Sequence, residues 1–346
     1  MSPQPSRRTV VAGTAALGAF GGGLASPLAA AAQAAASPAW QAVLDYVQGQ
    51  KTTGFLVIRN RKTLVEKNWP APTEGAFKNF AYETTAEGAL LEDVASQQKS
   101  FVSVLAAVAV DKGLLDVAKP VSAYIGAGWS KAQPDQEARI RVIDVLTMSS
   151  GLTERFAYAA PPGTVFLYNT PVYAITKRIL AAAAKSSLEA ITHDWLTAPA
   201  GMSNTSWRKR PAAFADVGNP TGLVTSPRDT ARLGQVVLDG GKAADGKRIV
   251  SEAGMKAMFT RSATNPAYGR LWWLNGSPFT IKPLANRVEG PLIPAAPADL
   301  VAALGALDRK LYVVPSQKLI VVRMGAAAPD KAFDQQLWLR LSKAIA

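Results

Sequence analysis

The feature that most constrains the fold is a pair of apolar β-hairpin patterns at opposite ends of the chain. Residues 54–59 and 63–69 flank a polar turn near the N-terminus, and residues 310–314 and 318–323 flank a second turn near the C-terminus. Short apolar runs bounded by turn residues are typical of strands. Because the intervening patterns are mostly helical, we expect strands from the two ends to form one sheet that helices cover. The predicted fold class is therefore α/β of the α+β type, with an antiparallel sheet built from both termini.

Helical periodicity accounts for much of the remaining chain. Apolar residues recur at intervals of three and four, which predicts helices over residues 38–49, 101–112, 171–184, 228–238 and 331–345. No internal repeat, low-complexity linker or regular βαβ alternation divides residues 38–346. These residues are expected to form a single domain, with a helical subdomain over roughly residues 114–240.

Residues 1–37 have the composition of an export signal. They contain no acidic residue, and their only charges are Arg7 and Arg8, which precede a long Ala- and Gly-rich apolar stretch. The segment around the two arginines resembles a twin-arginine motif. A membrane-spanning helix is the alternative, but a run of three glycines and Pro27 interrupts the apolar stretch. The prediction is a twin-arginine signal peptide that is removed, leaving an exported protein, periplasmic or extracellular, with no stable membrane anchor.

Two residue types that many hydrolases and metal sites require are scarce. Cysteine is absent and His193 is the only histidine. A cysteine nucleophile, a thiolate metal site and a His-rich metal site are therefore excluded. A Ser-His-Asp hydrolase would have to use His193 alone, and no serine motif lies around this residue.

The chain is strongly basic, with 38 Lys and Arg, 25 Asp and Glu and a net charge of +13. Such a charge raises nucleic acid or an anionic surface as a partner. However, the basic residues occur singly or in short runs, with no basic stripe among aromatic residues and no recognised nucleic-acid module. We therefore predict no nucleic-acid partner, and the lack of a Gly-rich phosphate loop gives no support to a nucleotide site.

Ser96 and Lys99 form a Ser-x-x-Lys tetrad at the start of an apolar helix. Residues three apart share a helix face, so the Lys99 amine can reach the Ser96 hydroxyl. A lysine that loses its proton in a desolvated pocket can serve as general base, and the helix N-terminus offers the Ser96 N–H to an oxyanion. A second tetrad, from Ser206 to Lys209, lies in a polar stretch without such a helix. The tetrad predicts Ser96 as nucleophile; a helix-capping serine is the alternative.

The sequence that follows this tetrad resembles the serine β-lactamase-like superfamily. The runs that show the resemblance occur in order after Ser96, and the longest are residues 140–152, 162–170 and 222–232. Within the superfamily the chain is similar to the branch of class C β-lactamases, D-alanyl-D-alanine carboxypeptidases and esterases. The motifs at residues 268–273 look like the subgroup that includes 6-aminohexanoate-dimer hydrolases. The resemblance covers essentially all of the chain after residue 37 and implies a β-lactamase/transpeptidase-like fold.

The resemblance implies a role for Tyr168, the tyrosine of the family's second motif. In the family this tyrosine exchanges a proton with the serine, the lysine and the leaving group. The usual motif is Tyr-x-Asn, whereas this chain has Tyr168-Asn169-Thr170. Thr170 can donate a hydroxyl hydrogen bond but lacks the amide group. A grip of Thr170 on a substrate amide is therefore not expected.

A third motif, Lys-Thr-Gly or His-x-Gly on a strand beside the site, is also implied by the resemblance. Its best match is Ala303-Leu304-Gly305, followed by Ala306. Gly305 is expected to allow close approach of a substrate, and the Ala306 N–H to be the second oxyanion donor. Ala303 and Leu304 bring no charge or hydroxyl group to hold a substrate carboxylate. The alternative is that these residues only pack as a strand.

Together these residues predict a serine hydrolase that acts through an acyl-enzyme on a small ester or amide, without a metal or other cofactor. Because the second and third motifs have lost polar groups, an esterase or amidase is favoured over a true β-lactamase, with short-chain esters as good substrates. The same losses leave an alternative of another class, a non-catalytic protein on this fold that binds cell-wall peptide or a polyanion.

Overall fold

The computed structural model describes Met1 and residues 37–73, 75–212 and 218–346. The predicted signal peptide lies outside the described residues, apart from Met1 and Ser37. Within the described ranges, no helix has the length and apolar character needed to cross a bilayer.

The helices and strands are numbered in chain order. The helices are α1 (Pro38–Gly49), α2 (Gln98–Asp111), α3 (Ser122–Ile125), α4 (Pro134–Glu137), α5 (Val142–Leu146), α6 (Thr170–Ala184), α7 (Leu188–Thr192), α8 (Pro227–Leu238), α9 (Glu252–Met258) and α10 (Phe333–Ile345). The strands are β1 (Thr52–Arg59), β2 (Lys62–Asn68), β3 (Ala81–Thr84), β4 (Leu90–Asp93), β5 (Ser206–Lys209), β6 (Thr221–Thr225), β7 (Trp273–Leu274), β8 (Phe279–Ile281), β9 (Arg287–Glu289), β10 (Val301–Gly305), β11 (Arg309–Val314) and β12 (Leu319–Gly325).

The main sheet joins the two ends of the chain, as the hairpin patterns predict. Its strand order is β2-β1-β12-β11-β10-β7, and every neighbouring pair is antiparallel. The N-terminal hairpin meets the C-terminal hairpin where β1 pairs with β12, with Leu56 opposite Val322. This pairing confirms the predicted fold class.

Helices cover both faces of this sheet because successive strand residues point to opposite sides. On β11, Leu311 faces α8, where Gly234 lets the helix backbone approach closely. The next residue, Tyr312, contacts Trp338 of α10 on the other face, with ring centroids 5.6 Å apart. Helix α1 packs beside α10 and buries Trp40 and its apolar neighbours.

A second, four-stranded sheet, in the order β3-β4-β6-β5, is not among the elements that the sequence predicts. Two of its strands, β5 and β6, belong to residues 114–240 and pair with each other, and β6 also pairs with β4. The helical subdomain over that range stays a prediction. The position of β4 matters for the site, because the chain passes from this strand directly into the turn that holds Ser96.

A buried ion pair connects the two sheets below this turn. Glu92 at the end of β4 and Arg309 at the start of β11 are fully buried, and their Oε2 and Nη2 atoms lie 2.9 Å apart. Glu92 also hydrogen-bonds with Thr53 on β1 and accepts from the Gly325 N–H. Separating the partners of such a pair would leave an uncompensated buried charge, which is strongly unfavourable. These contacts hold β4 in register with the main sheet.

Candidate active site

Ser96 lies in a tight turn between β4 and the buried helix α2. The turn passes through Ala95, which has φ +50°, and the Ala95 N–H donates to the Asp93 carboxylate at 2.8 Å. A non-glycine residue at positive φ is uncommon and occurs often at functional turns. Helix α2 is buried along almost its whole length, so its N-terminus presents the half-buried Ser96 from a rigid element.

Lys99 occupies the first turn of α2 and reaches Ser96 as the tetrad spacing predicts. Its Nζ lies 2.9 Å from Ser96 Oγ and 3.2 Å from Thr170 Oγ1. The same nitrogen sits over two aromatic rings, 4.8 Å from the centroid of Tyr168 and 4.6 Å from that of Tyr173. The amine is therefore enclosed by hydroxyl groups and ring faces.

The surroundings of Lys99 favour its neutral form. The side chain is 2% exposed, and this burial is the main cause that holds the pKa of Lys99 well below its usual value. The nearby charges of Arg210 and Lys177 are both positive and lower the pKa further. A neutral amine next to a serine hydroxyl can accept its proton, which is the property a general base requires.

Tyr168 closes the other side of the Ser96 hydroxyl. Burial raises the pKa of Tyr168 to about 12, although a hydrogen bond with Ser96 partly lowers this pKa. Its ring stacks on Trp273 at 5.8 Å and meets the edge of Tyr268 at 6.2 Å. The tyrosine therefore stays protonated at neutral pH and is held in place by aromatic contacts, so it can pass a proton between oxygen atoms.

The two residues after Tyr168 serve the protein's own structure. Asn169 caps helix α6 by accepting from the Val172 N–H at 3.1 Å, and its amide donates to the Leu152 carbonyl at 2.9 Å. The Thr170 hydroxyl contacts Lys99. The Asn169 side-chain amide is thus bonded within the protein.

The third-motif segment lies along β10 beside the Ser96 turn. Gln97 Nε2 is 3.4 Å from the Ala303 carbonyl oxygen, which ties the turn to the strand. Ala306 lines the cavity in front of Ser96, whereas Leu304 packs against the core. Among the residues that the structure describes, neither the Ser96 N–H nor the Ala306 N–H has a hydrogen-bond partner. Both N–H groups are free to bind an oxyanion.

The structure gives a reason for glycine at position 305 that differs from the close approach of a substrate expected from the sequence. A Cβ atom at this position would lie 2.2 Å from the Val94 carbonyl oxygen and 3.3 Å from the Gln97 nitrogen. The close approach is therefore made by the backbone of the Ser96 turn. A glycine at position 305 sets the distance between β10 and the nucleophile.

We expect Gly305→Ala to separate β10 from the Ser96 turn. Forcing a methyl group into this contact should cost about 1–3 kcal/mol of unfolding free energy and slow covalent labelling of Ser96 by about tenfold or more, because the Ala306 N–H moves away from the oxyanion position. Denaturant unfolding and labelling rates measure the two effects. Gly49→Ala is the matched control, since a Cβ at Gly49 has no atom within 4 Å. Equal unfolding free energies and equal labelling rates in the two variants would contradict this role of Gly305.

A cavity of about 610 Å³ opens in front of Ser96. Its lining includes Thr170 and Ala306 from the predicted site, together with Arg155, Arg210 and Asn219. Its volume is in the usual range for small-molecule sites. Two cations closer in sequence to the third motif are used elsewhere: Arg309 pairs with Glu92, and Lys310 Nζ lies 3.0 Å from Asp334.

The remaining candidates from the sequence lie away from the cavity. Ser206 and Lys209 are exposed on strand β5, where residues three apart point to opposite faces. His193 is exposed and its Nδ1 lies 2.7 Å from the Asp194 carboxylate.

A layer of buried charged and polar residues beside the site was not predicted from the sequence. Arg210 binds the Asp93 carboxylate through two hydrogen bonds, at 2.7 and 2.9 Å. Lys177 Nζ donates to Asn219 Oδ1 at 2.6 Å and to the Thr221 carbonyl at 2.9 Å. Burial, with repulsion from Arg210, lowers the pKa of Lys177 to about 7. The sequence could have indicated that Lys177 is buried, because this residue lies one helical turn from apolar residues on the buried face of α6.

Comparisons with known proteins show the family and the fold of the chain. A family model described as Beta-lactamase matches residues 41–344, and no curated protein matches the chain. A beta-lactamase-like structure from Bacteroides dorei DSM 17855 is similar at 15% identity and a TM-score of 0.66, covering 89% of this chain and 98% of that one. A structure described as a 6-aminohexanoate-dimer hydrolase from Bacillus anthracis is similar at 16% identity and a TM-score of 0.64, covering 87% and 80%. A beta-lactamase from Mycobacterium bovis is similar at 17% identity and a TM-score of 0.62, covering 88% and 97%. At these identities the structural likeness shows the fold.

Proposed function

This chain belongs to the Beta-lactamase family and is a hydrolase of that fold, and on this basis we propose that it hydrolyses carboxylic esters through an acyl-enzyme formed on Ser96. The observation that supports the proposal most directly is the 2.9 Å distance between Ser96 Oγ and Lys99 Nζ at the mouth of a cavity. A neutral lysine at this distance can activate the hydroxyl without a histidine.

The residues fit a two-step reaction. Lys99 accepts the Ser96 proton as Oγ attacks the substrate carbonyl carbon, and the Ser96 and Ala306 N–H groups bind the oxyanion. When the tetrahedral intermediate collapses, the bond to the alcohol oxygen breaks. That oxygen receives the proton, with Tyr168 as the hydroxyl that passes it on. Water then attacks the acyl-enzyme by the same proton route in reverse, releasing the acid and restoring Ser96.

Esters are favoured over β-lactams because, at the second and third motif positions, the polar groups that would hold a β-lactam carboxylate or side-chain amide are missing or already bonded. Ala303 and Leu304 bring no charge, and Thr170 contacts Lys99. The Arg210 guanidinium lines the cavity, but it already binds Asp93 and the Asn219 carbonyl. Loss of a charge-assisted hydrogen bond costs about 1.5–3 kcal/mol. An activated ester depends less on such contacts.

We therefore expect kcat/KM for p-nitrophenyl acetate or butyrate to exceed that for nitrocefin by at least about tenfold, which is the lower end of the loss expected from one missing charged contact. Both substrates report by absorbance, and both rates are divided by the active-site concentration from fluorophosphonate titration. Nitrocefin turnover equal to the ester turnover would contradict the esterase proposal. No labelling at Ser96 would favour the alternative of a non-catalytic binding protein.

We also propose that the segment at residues 1–37 directs export of the protein.

A further inference from the structure

A second cavity adjoins the one in front of Ser96. It has a volume of about 580 Å³ and is open to solvent. Glu154 and Arg155 line both cavities, so the two cavities meet at these residues. The first cavity is lined by Ser96 and Ala306, whereas Tyr168 lines the second. Tyr168 therefore hydrogen-bonds with Ser96 and also borders the second cavity.

This division assigns the two halves of an ester to the two cavities. In the tetrahedral intermediate the oxyanion lies at the Ser96 and Ala306 N–H groups, on the side of the first cavity. The alcohol oxygen must lie near the group that gives it a proton, and that group is the Tyr168 hydroxyl. An alcohol portion that extends past Tyr168 would enter the second cavity, while the acyl portion would remain in the first.

The second cavity has a mixed lining, with Lys282 and Asn286 beside apolar residues, two of which are exposed leucines. Leu167 and Leu284 line it and are 44% and 104% exposed. Val165 and Val288, which flank these leucines in sequence, are also among the few large hydrophobic side chains exposed in the described part of the chain. Single exposed apolar residues are common, but two exposed leucines that line one cavity indicate a binding surface.

Leu284 stands out within this cluster by its backbone. It lies at the tip of the β8–β9 hairpin with φ +56°, a conformation that costs a leucine energy and that glycine or asparagine adopts more readily. The side chain is fully exposed and gains no packing in return. An apolar ligand in the second cavity would give this leucine a contact.

We propose that the second cavity is the subsite for the alcohol portion of the substrate and that it selects esters of apolar, extended alcohols. The inference rests on the proposed ester hydrolysis at Ser96. The bond that breaks is the one between the carbonyl carbon and the alcohol oxygen, and the proton from Tyr168 leaves with the alcohol. Each methylene group buried against Leu167 and Leu284 should raise kcat/KM, up to about fourfold for full burial.

The test uses acetate esters of ethanol, butanol and hexanol, whose leaving groups have similar basicity. We expect kcat/KM, measured by acetate release, to rise at least about tenfold from ethyl to hexyl acetate. Leu284→Asn should lower the hexyl-to-ethyl ratio at least about fivefold, and asparagine tolerates the positive φ at this position. Leu339→Asn is the matched control, because Leu339 is exposed on α10, outside both cavities, and it should keep the wild-type ratio.

Three outcomes would overturn the assignment. They are a flat alcohol series in the wild-type protein, an equal effect of the two asparagine variants, and an effect of Leu284→Asn confined to acyl chain length in p-nitrophenyl esters. All rates are normalised to Ser96 labelled by a fluorophosphonate, so loss of folded protein does not count as loss of selectivity. Failure of Ser96 to label rejects the proposed ester hydrolysis. Normal labelling, with the same kcat/KM for all three acetate esters, rejects only the proposed alcohol subsite.

Discussion

Replacing Ser96 with alanine should abolish covalent labelling by a fluorophosphonate and lower ester hydrolysis by at least about 10⁴-fold. The reason is that Ser96 Oγ is the hydroxyl oxygen nearest to the Lys99 amine, at 2.9 Å, and borders the cavity with two unbonded N–H groups close by. Alanine leaves the turn and helix α2 in place while removing the attacking oxygen. Intact mass and peptide mapping after labelling measure the result directly.

Ser206→Ala is the matched control for this experiment. Ser206 has the same Ser-x-x-Lys spacing but lies exposed on strand β5, where its hydroxyl accepts from Arg208 Nε at 3.0 Å. The control should label at the wild-type rate. A label that persists in Ser96→Ala would contradict the assignment, and its position would identify the true nucleophile. The peptide that contains Thr170 is the first to inspect, because the Thr170 hydroxyl lies 3.2 Å from Lys99 Nζ.

The main sheet could be predicted from the sequence because its strands are long and apolar. Strands β1, β11 and β12 are buried along most of their length, and such runs bounded by turns are a strong signal. The second sheet gave no such signal. Its strands β3 and β5 are four residues long and largely exposed, so their pairing is decided by neighbours distant in sequence.

The arrangement of the candidate catalytic residues could be predicted in part, because the tetrad spacing is local. Lys99 reaches Ser96 within one helical turn, which the sequence alone indicates, whereas the contact of Lys99 with Thr170 joins residues 71 positions apart. The position of Tyr168 came from family resemblance. The positive φ of Ala95 has no sequence signal, since alanine seldom adopts that conformation and nothing local marks it.

The charged layer beside the site was not predicted because its contacts are long-range. Asp93 and Arg210 are separated by 117 positions and Lys177 and Asn219 by 42. A sequence shows which charged residues fall within apolar patterns, and it does not show which of them meet. The same reason hid Arg155, whose place at the rim of both cavities depends on how the loop after Leu152 is folded.

The second large effect is expected for Lys99→Ala, which should lower kcat/KM for p-nitrophenyl acetate by about 10²–10⁴-fold, the usual contribution of a general base. Lys99 is the amine in contact with Ser96, and its enclosure by Tyr168 and Tyr173 leaves little room for water to replace it. His193→Ala is the comparison, with an expected change below about tenfold, since His193 is exposed and bonded to Asp194. The reverse ranking would assign the base to His193.

The pH dependence separates a base from a residue that only supports the fold. Lys99 acts in its neutral form, so kcat/KM should be highest above the lowered pKa of Lys99 and fall as the pH drops through it. The positive charge of Lys177 contributes to that lowering. Removing it by Lys177→Met should raise the pKa of Lys99 and move the acid limb of the profile to higher pH. Because the position of the limb does not depend on how much enzyme is folded, an unchanged limb or a shift to lower pH would reject Lys99 as the base.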